Sequence, residues 1–199
     1  MNRIITVGRE FGSGGRELGR RLAEALGCEY YDREIIEQIA EHTSFSEDYI
    51  RQVVEGRTHR LYPITVNHTI NFAADHHAKI LQSVYKAQCD ILRRLAEESD
   101  CVIVGRCADF ILRDHAPYRI FVYADMESRV RRCMERSKGA EHFSEKEIRK
   151  HIRQVDRYRA RYYFDHTGQI WGDKLNYDLC VNTTDRDIKT LVPHVLKML

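Results

Sequence analysis

Apolar residues along this chain recur in two alternating patterns, which predict two kinds of secondary structure. Short continuous apolar runs predict buried strands at residues 4–7, 29–31, 101–104, 119–123 and 177–182. Apolar residues spaced by three or four positions predict helices at residues 18–26, 35–40, 49–54, 78–98, 126–137, 144–164 and 187–199. Strands that alternate with helices predict an α/β domain whose mostly parallel sheet is covered on both faces.

Small and polar residues mark where several of these elements begin or end. Gly27 is predicted to close the first helix, and Ser46 and Ser144 are predicted to cap later ones. Residues 56–77 include Pro63 and several Thr and Asn residues, so they are predicted to hold a loop or excursion. A second loop is predicted at residues 165–176, around the only tryptophan, Trp171.

Glycine or polar residues directly follow four of the predicted strands. These positions are Gly8, Asp32, Gly105 with Arg106, and Asp125. In open parallel sheets, ligands bind outside the carboxyl ends of the strands. The sequence therefore predicts a ligand site at this edge of the sheet.

Composition narrows the class of protein. A chain of 199 residues with 43% hydrophobic and 31% charged residues is typical of one globular domain. It holds no run of about 18 apolar residues, so no membrane span is expected. The net charge of +2 argues against a general nucleic-acid binder. The six cysteines form no Cys-x-x-Cys pair, which indicates a cytoplasmic protein without disulfides or zinc.

The strongest chemical signal is a glycine-rich segment, Gly12, Ser13, Gly14 and Gly15, between the first strand and the first helix. Glycines let backbone N–H groups approach a phosphate closely, and the helix N-terminus adds partial positive charge. The alternative is a tight turn without a ligand. Three glycines in four residues exceed what such a turn needs, so we expect phosphate binding here.

This segment departs from the Walker A pattern Gly-x-x-x-x-Gly-Lys-[Ser/Thr]. With Gly14 as the last motif glycine, Arg9 stands at the first glycine and Gly15 at the lysine. Arg16 follows directly and is a candidate to bring a cation to the phosphates. Arginine binds phosphate well but differs from lysine in reach and shape.

Further cations and one carboxylate are candidates for the same site. Arg106 at a strand end suits phosphate or carboxylate recognition, with a surface ion pair as the alternative. Asp32 is a candidate for a substrate hydroxyl or a hydrated metal, or else a helix cap. The predicted helices also carry an arginine set that suits a phosphoryl-transfer lid or, alternatively, a solvated helix with acidic partners. Its members are Arg129, Arg131, Arg132, Arg153, Arg157, Arg159 and Arg161, of which Arg153, Arg157 and Arg161 share one helix face.

In order and spacing, these segments resemble bacterial cytidylate kinase, and more closely the cytidylate kinase-like proteins. The resemblance covers nearly the whole chain. Its segments are residues 4–17, Tyr31-Asp32, residues 101–106 (Cys-Val-Ile-Val-Gly-Arg), residues 116–122, residues 129–132 (Arg-Val-Arg-Arg) and residues 178–184. Residues 156–163, with Trp171-Gly-Asp173 and Tyr177-Asp178, are typical of the kinase-like branch.

The resemblance implies a three-layer P-loop kinase fold in a single domain of residues 1–199. It implies a parallel sheet, a helical substrate-binding insertion at about residues 44–98 and an arginine-bearing lid at about 133–176. The implied activity is transfer of the γ-phosphoryl group of ATP, with Mg²⁺, to CMP or a related small acceptor.

Site residues carried over by position fall into three groups. Residues Gly12 to Glu17 would hold the donor phosphates. Asp32 and Arg106, with Arg33 and Asp109 beside them, would bind the acceptor. Arg132, Arg157 and Arg161, together with Arg16, would screen the transferring group.

The chain departs from the kinase pattern at several of these positions. The loop lysine is Gly15, and the threonine that would bind Mg²⁺ is Glu17, which becomes the candidate metal ligand. The aspartate after Gly-Arg is Cys107, with Asp109 two residues on, and Gln38 stands at an acceptor arginine. These departures favour a different acceptor or weak catalysis.

Three hypotheses therefore stay open. The first is a nucleotide or small-molecule kinase that takes a phosphate donor and a small acceptor, with no nucleic-acid or membrane partner. The second is a non-catalytic nucleotide-binding or sensing module, motivated by the missing lysine and hydroxyl residue. The third is a structural relative that has lost nucleotide binding. The sequence leaves the oligomeric state open, although the long helix from Ala78 offers a surface for it.

Overall fold

Five parallel strands form a single sheet at the centre of the computed structural model, which describes residues 2–43, 45–55, 70–136 and 144–199. The strands are β1 (Ile4–Arg9), β2 (Glu29–Tyr31), β3 (Cys101–Val104), β4 (Tyr118–Tyr123) and β5 (Leu179–Asn182). Their order across the sheet is β2-β3-β1-β4-β5. Strand β1 is central, with Ile5 opposite Val102 on β3 and opposite Tyr118 on β4. The predicted parallel α/β sheet is confirmed, and β5 begins at Leu179, later than predicted.

Helices cover both faces of this sheet in the part of the chain that the structure describes. They are α1 (Gly15–Leu26), α2 (Glu34–His42), α3 (Glu47–Glu55), α4 (Ile70–Glu98), α5 (Ala108–Ile111), α6 (Met126–Arg136), α7 (Glu145–Thr167) and α8 (Ile188–Leu196). Successive strand residues point to opposite faces, so Val102 packs with Leu18 and Leu22 of α1, whereas Ile103 packs with α2 and α4. The result is three layers. None of the described helices combines the length and the apolar character that crossing a membrane requires.

The helix boundaries test the caps and the loop that were predicted from the sequence. The predicted cap at Ser144 is confirmed as a capping box, in which Ser144 and Glu147 bond each other's backbone N–H groups. The Ser46 hydroxyl likewise accepts a bond from the N–H of Tyr49. Helix α4 begins at Ile70, eight residues before the start predicted at Ala78, so residues 70–77 are helical and not part of a loop. The rest of the predicted loop, residues 56–69, lies outside the described residues. Helix α5 was not predicted, because four residues are too few to show a helical period.

Two helical units overlap the sequence ranges predicted for the insertion and the lid. Helices α2, α3 and α4 separate β2 from β3 along the chain and pack together on one face of the sheet. Helices α6 and α7 pack against each other through Val130, Ile148 and Ile152. Residues 137–143 within the predicted lid lie outside the described residues. Both helical units lie next to the carboxyl end of β1, where the glycine-rich segment begins.

Candidate active site

The glycine-rich segment forms a tight loop between Arg9, the last residue of β1, and Gly15, the first residue of α1. Gly12 and Gly14 have φ angles of +80° and +85°, a region that favours glycine. A Cβ atom on Gly14 would also collide with the Ile188 side chain. The Ser13 hydroxyl donates to the Glu10 carbonyl at 2.9 Å and closes the loop on itself. The loop therefore presents the N-terminus of α1 at the edge where an anion is expected.

Gly15 is required for a different reason, since its φ is not positive. A Cβ atom there would overlap the Cβ of Arg9 and lie 3.1 Å from the Cβ of Val122. The Arg9 side chain thus crosses the start of α1 at the position where a Walker A loop carries its lysine. At its far end, the Arg9 guanidinium occupies the space that a Cβ on Gly105 would need. Sequence analysis gave Arg9 no role, although an arginine in place of the first motif glycine was the available signal.

Four arginines and one aspartate converge at this point. Arg16 Nε lies 2.6 Å from Asp32 Oδ2, and Arg9 Nη2 lies 3.5 Å from Asp32 Oδ1. Arg159 donates from Nη1 to the Arg9 carbonyl oxygen at 3.1 Å. Burial lowers the pKa of Arg9 well below its usual range, as do the positive charges of Arg159, Arg106 and Arg16, while only Asp32 opposes them. The predicted site residues Arg16, Asp32 and Arg106 are therefore brought together, around an arginine that was not predicted.

A cavity of about 600 Å³ lies between the loop and helices α6 and α7. Gly12, Gly14 and Gly15 form one wall, and His151 and Arg159 of α7 form the opposite wall. The volume falls within the range of about 300–1,000 Å³ usual for small-molecule sites. The arrangement suits a phosphate chain that lies along the loop and ends at the arginine cluster.

A second, small cavity of about 50 Å³ adjoins the cluster on the side of β3. Arg9 and Arg159 line both cavities, so the two chambers meet at these arginines. Arg106 and Cys107 have φ angles of +63° and +54°, unusual for residues other than glycine. Such backbone strain tends to occur at functional sites. It holds the buried Arg106 in the wall of this chamber.

The predicted acceptor residue Asp109 also lies in this second chamber. Its carboxylate accepts a bond of 2.6 Å from the Tyr163 hydroxyl. Burial raises the pKa of Asp109, and the bond from Tyr163 opposes this shift only in part. Burial also raises the pKa values of Tyr163 and Tyr177. The chamber therefore places a carboxyl group and two phenols whose pKa values burial raises beside the arginines Arg9 and Arg159.

Asp109→Asn is expected to stabilise the unliganded protein at neutral pH. The raised pKa means that ionised Asp109 destabilises the folded state above that pKa, and that this penalty disappears as the pH falls towards the ordinary value of 3.8. Asparagine keeps an oxygen that accepts from Tyr163 but carries no charge. Urea unfolding at a series of pH values should give the variant a larger free energy of unfolding than the wild type at neutral pH, and an equal one in acid. A difference independent of pH would contradict this interpretation.

Arg132 was expected to screen the transferring group, but the structure holds it against backbone carbonyls. It donates to Ser13 at 3.5 Å and to Arg186 at 3.1 Å, and also to the carbonyl of Thr183. Thr183 in turn donates from its hydroxyl to the Ser13 carbonyl at 2.7 Å. These bonds tie the loop to the segment between β5 and α8. In this conformation Arg132 positions the loop.

Arg157 and Arg161 were also expected at the reacting group, and the structure places both on the exposed face of α7. The Arg161 side chain is 79% exposed and pairs with Asp165 at 3.2 Å. Spacing by four does give these residues one shared face, as predicted, but that face turns towards solvent. Arg159 lies between them in sequence and faces the cavities instead.

Glu17, the candidate metal ligand, lies in the first turn of α1. It pairs with Arg21 at 3.0 Å and with Arg136 at 3.1 Å. Together with Asp32 and the exposed Arg33 it lines a further cavity of about 570 Å³. Mg²⁺ commonly binds through one or two carboxylates plus substrate phosphates and water. The carboxylates of Glu17 and Asp32 fit that need, and no group of three His, Cys, Asp or Glu side chains suited to a metal occurs within the described residues.

Solved structures of other proteins show the same fold. An uncharacterized protein from Eubacterium ventriosum is 26% identical, with a TM-score of 0.69 over 99% of this chain and 98% of that chain. Shikimate kinase from Bacteroides thetaiotaomicron is 15% identical, with a TM-score of 0.57 over 98% and 97% of the two chains. A gluconokinase from Sinorhizobium meliloti is 16% identical, with a TM-score of 0.51 over 98% and 90%. The fold is thus that of P-loop kinases.

Sequence comparison identifies the family. No curated protein matches the chain. A family-level comparison, however, matches residues 4–185, which is most of the chain, to the cytidylate kinase-like family. The match includes the glycine-rich loop, the Gly105-Arg106 turn, helix α7 and strand β5. The chain therefore belongs to the cytidylate kinase-like family.

Proposed function

We propose that the protein transfers the γ-phosphoryl group of ATP to a small acceptor. The observation that carries this proposal is the pair of chambers that meet at Arg9 and Arg159. The larger chamber follows the glycine-rich loop and suits the donor phosphates. The smaller chamber lies beyond the arginines and suits the reacting end of an acceptor. A phosphoryl group that crosses between them would pass through a zone of fixed positive charge, which is what phosphoryl transfer requires.

The chemical step needs little beyond position and charge. An acceptor oxygen forms a bond to the γ-phosphorus while the bond from that phosphorus to the β,γ-bridging oxygen breaks, and ADP leaves. If the acceptor is a hydroxyl, Asp109 is the carboxylate of the smaller chamber that would accept its hydrogen bond and its proton, since Asp32 lines the separate cavity beside Glu17. If the acceptor is a phosphate, its oxygen is already ionised. Arg106 and Arg159 would orient such an acceptor and reduce repulsion between the two anions.

Mg²⁺ is the metal that this proposal implies. When bound, it would neutralise part of the charge on the donor phosphates. Glu17 and Asp32 are the residues that would hold it, directly or through water. Both carboxylates already pair with arginines, which would offset part of their repulsion of the donor phosphates.

The acceptor is proposed to be a nucleoside monophosphate such as CMP, in keeping with the family. The smaller chamber, at about 50 Å³, holds only one end of such an acceptor, and Arg106 in its wall suits an anionic group there. Cys107 replaces the aspartate of the cytidylate kinase pattern in this same wall. A related small acceptor is therefore included in the proposal.

A panel of acceptors tests it. CMP, UMP, AMP, shikimate and gluconate would each be incubated with ATP, Mg²⁺ and a high enzyme concentration, and ADP release would be measured. We expect turnover above the rate of ATP hydrolysis with at least one monophosphate, and CMP is the first choice. Turnover with shikimate or gluconate alone would support kinase activity but contradict a nucleoside monophosphate as the acceptor. No acceptor-dependent product at all would count against a kinase.

A nucleotide-sensing module without catalysis is the second candidate, and Gly15 at the lysine position favours it. Calorimetry separates the two functions. A sensor would bind ATP tightly and release no ADP with any acceptor. A relative that had lost nucleotide binding would show no heat and no thermal shift, whereas a ligand at 100 times its Kd stabilises by about 2.7 kcal/mol.

A further inference from the structure

Two departures from the Walker A pattern, Arg9 and Gly15, are in contact with each other. A side chain on Gly15 would begin inside the Cβ of Arg9 and lie 3.2 Å from its Cγ. A lysine therefore does not fit at position 15 while Arg9 is present. Conversely, a glycine at position 9 would remove that overlap, and the Cβ of Val122 at 3.1 Å would be the remaining close neighbour of such a lysine. The two departures therefore depend on each other: a glycine replaces the lysine at position 15, and Arg9 brings a cation to the same part of the loop.

The fold fixes the Arg9 side chain along its whole length. Its backbone ends β1 and pairs with Val122 on β4, and its carbonyl accepts the bond from Arg159. Its guanidinium lies against Gly105, at the end of β3, where any side chain would displace it. Gly105 has a φ of +77°, so both its conformation and this contact require glycine. A long side chain held this way is preorganised, which is the property that stabilises developing charge most effectively.

Among the described residues, the carboxylate in contact with the Arg9 guanidinium is that of Asp32. The contact of Arg9 with Asp32 is long, at 3.5 Å, and that carboxylate is shared with Arg16 at 2.6 Å. Arg106 and Arg159 add positive charge close by. Burying a charge is costly unless it is paired. An anion between the two chambers would give the Arg9 guanidinium a second negatively charged partner besides Asp32.

Arg16, the residue after Gly15, is a weaker candidate for the same role. Its side chain is 44% exposed and its Nε is engaged with Asp32. The Arg9 side chain is only 11% exposed and lines both chambers, whereas Arg16 does not line the smaller one. Among these two residues, only Arg9 can contact a group that passes from one chamber to the other.

We propose that Arg9 replaces the missing loop lysine as the cation on the β- and γ-phosphates of the donor. The inference rests on the proposed kinase function. In the transfer step, the acceptor oxygen bonds to the γ-phosphorus and the bridging bond breaks, with its electron pair left on the β-phosphate oxygen of ADP. Arg9 gains and loses no proton in this step. It stabilises the negative charge that builds on the bridging and γ-oxygens.

A reciprocal exchange of the two residues tests the proposal. Arg9→Gly should lower kcat about a hundredfold, the usual loss for one charge-stabilising donor. Gly15→Lys should also lose activity, because its side chain meets Arg9. The double variant R9G/G15K restores Gly-x-x-x-x-Gly-Lys and should recover activity to within about tenfold of wild type, since the cation returns by the other route. Arg20→Ala is the matched control, because Arg20 is an exposed cation of α1 that pairs with Glu24.

A binding measurement keeps this test separate from the kinase proposal. The wild type and each variant would be titrated with a non-hydrolysable ATP analogue, and circular dichroism would verify their folding. We expect Arg9→Gln to weaken binding by about ten- to a hundredfold and the double variant to bind better than either of its single parents. That pattern without any turnover would support Arg9 and reject the kinase. Wild-type affinity in Arg9→Gln would overturn the proposal, as would a folded double variant no better than Arg9→Gly.

Discussion

Replacing Arg159 by alanine is expected to lower the kcat of phosphoryl transfer by about a hundredfold or more. Arg159 lies at the junction of the two chambers and donates to the Arg9 carbonyl at 3.1 Å. Its removal would take a cation from the transfer path and also loosen Arg9. Steady-state kinetics with ATP and the best acceptor should show the loss mainly in kcat, because the interaction strengthens as charge develops.

Neighbouring arginines of the same helix make this prediction specific. Arg153→Ala is the control, because Arg153 is exposed on α7 and its loss should change stability by no more than about 0.5 kcal/mol. Arg161→Ala distinguishes the role that the structure gives to Arg159 from the role that the family resemblance gives to Arg161. If Arg161→Ala lost activity while Arg159→Ala kept it, the helix would have to rotate or move on substrate binding, and the assignment from the family pattern would stand.

The inward face of α7 was in fact readable from the sequence. Ile148, Ile152 and Tyr163 are its buried residues, and Arg159 continues their stripe at intervals of seven and four. The spacing of Arg153, Arg157 and Arg161 identifies a shared face, but it does not say whether that face turns inwards. The apolar stripe carries that information. Comparing the positions of the arginines with the apolar stripe, and not only with each other, would have identified Arg159 as the inward-facing arginine.

Local patterns predicted most of the fold for a physical reason. A buried strand such as β3 must be apolar throughout, and a helix capped by Ser144 must supply an acceptor for its first N–H groups. These requirements act within a few neighbouring residues. The glycine loop is local in the same sense, because Gly12 and Gly14 need positive φ. Such features can be read from one sequence.

The role of Arg9 could not be read in this way, because it depends on residues far apart in the chain. Its guanidinium lies against Gly105 after β3, and its backbone carbonyl accepts a bond from Arg159 on α7. That neighbourhood exists only because β1 lies between β3 and β4 in the sheet. The sequence alone shows that the loop lysine is missing, whereas the order of the strands shows that Arg9 lies beside the loop.

Arg129→Met is expected to be the most destabilising single change in helices α6 and α7, at about 3–5 kcal/mol. The Arg129 side chain is only 6% exposed and joins α6 to the loop and to α7. It pairs with Glu10 at 3.2 Å and with Asp156, and it donates to the Phe11 carbonyl at 2.8 Å. Methionine fills much of the volume but leaves both carboxylates without their guanidinium. Urea unfolding of the unliganded protein would measure the loss.

The pH dependence and a matched variant show whether the loss comes from those carboxylates. Burial already raises the pKa of Glu10, and Arg129 lowers it, so removing Arg129 should raise it further. An acid with a raised folded-state pKa destabilises the fold fully above that pKa, and the penalty disappears as the pH falls towards the ordinary value, 4.5 for Glu10. The deficit of Arg129→Met should therefore shrink as the pH is lowered from neutral. Arg131→Met is the control, because its side chain is 55% exposed and its ion pair with Asp185 should contribute about 1 kcal/mol or less. A deficit in Arg129→Met that is equally large in acid would indicate lost packing, and the ionic link between loop and lid would then be unimportant for stability.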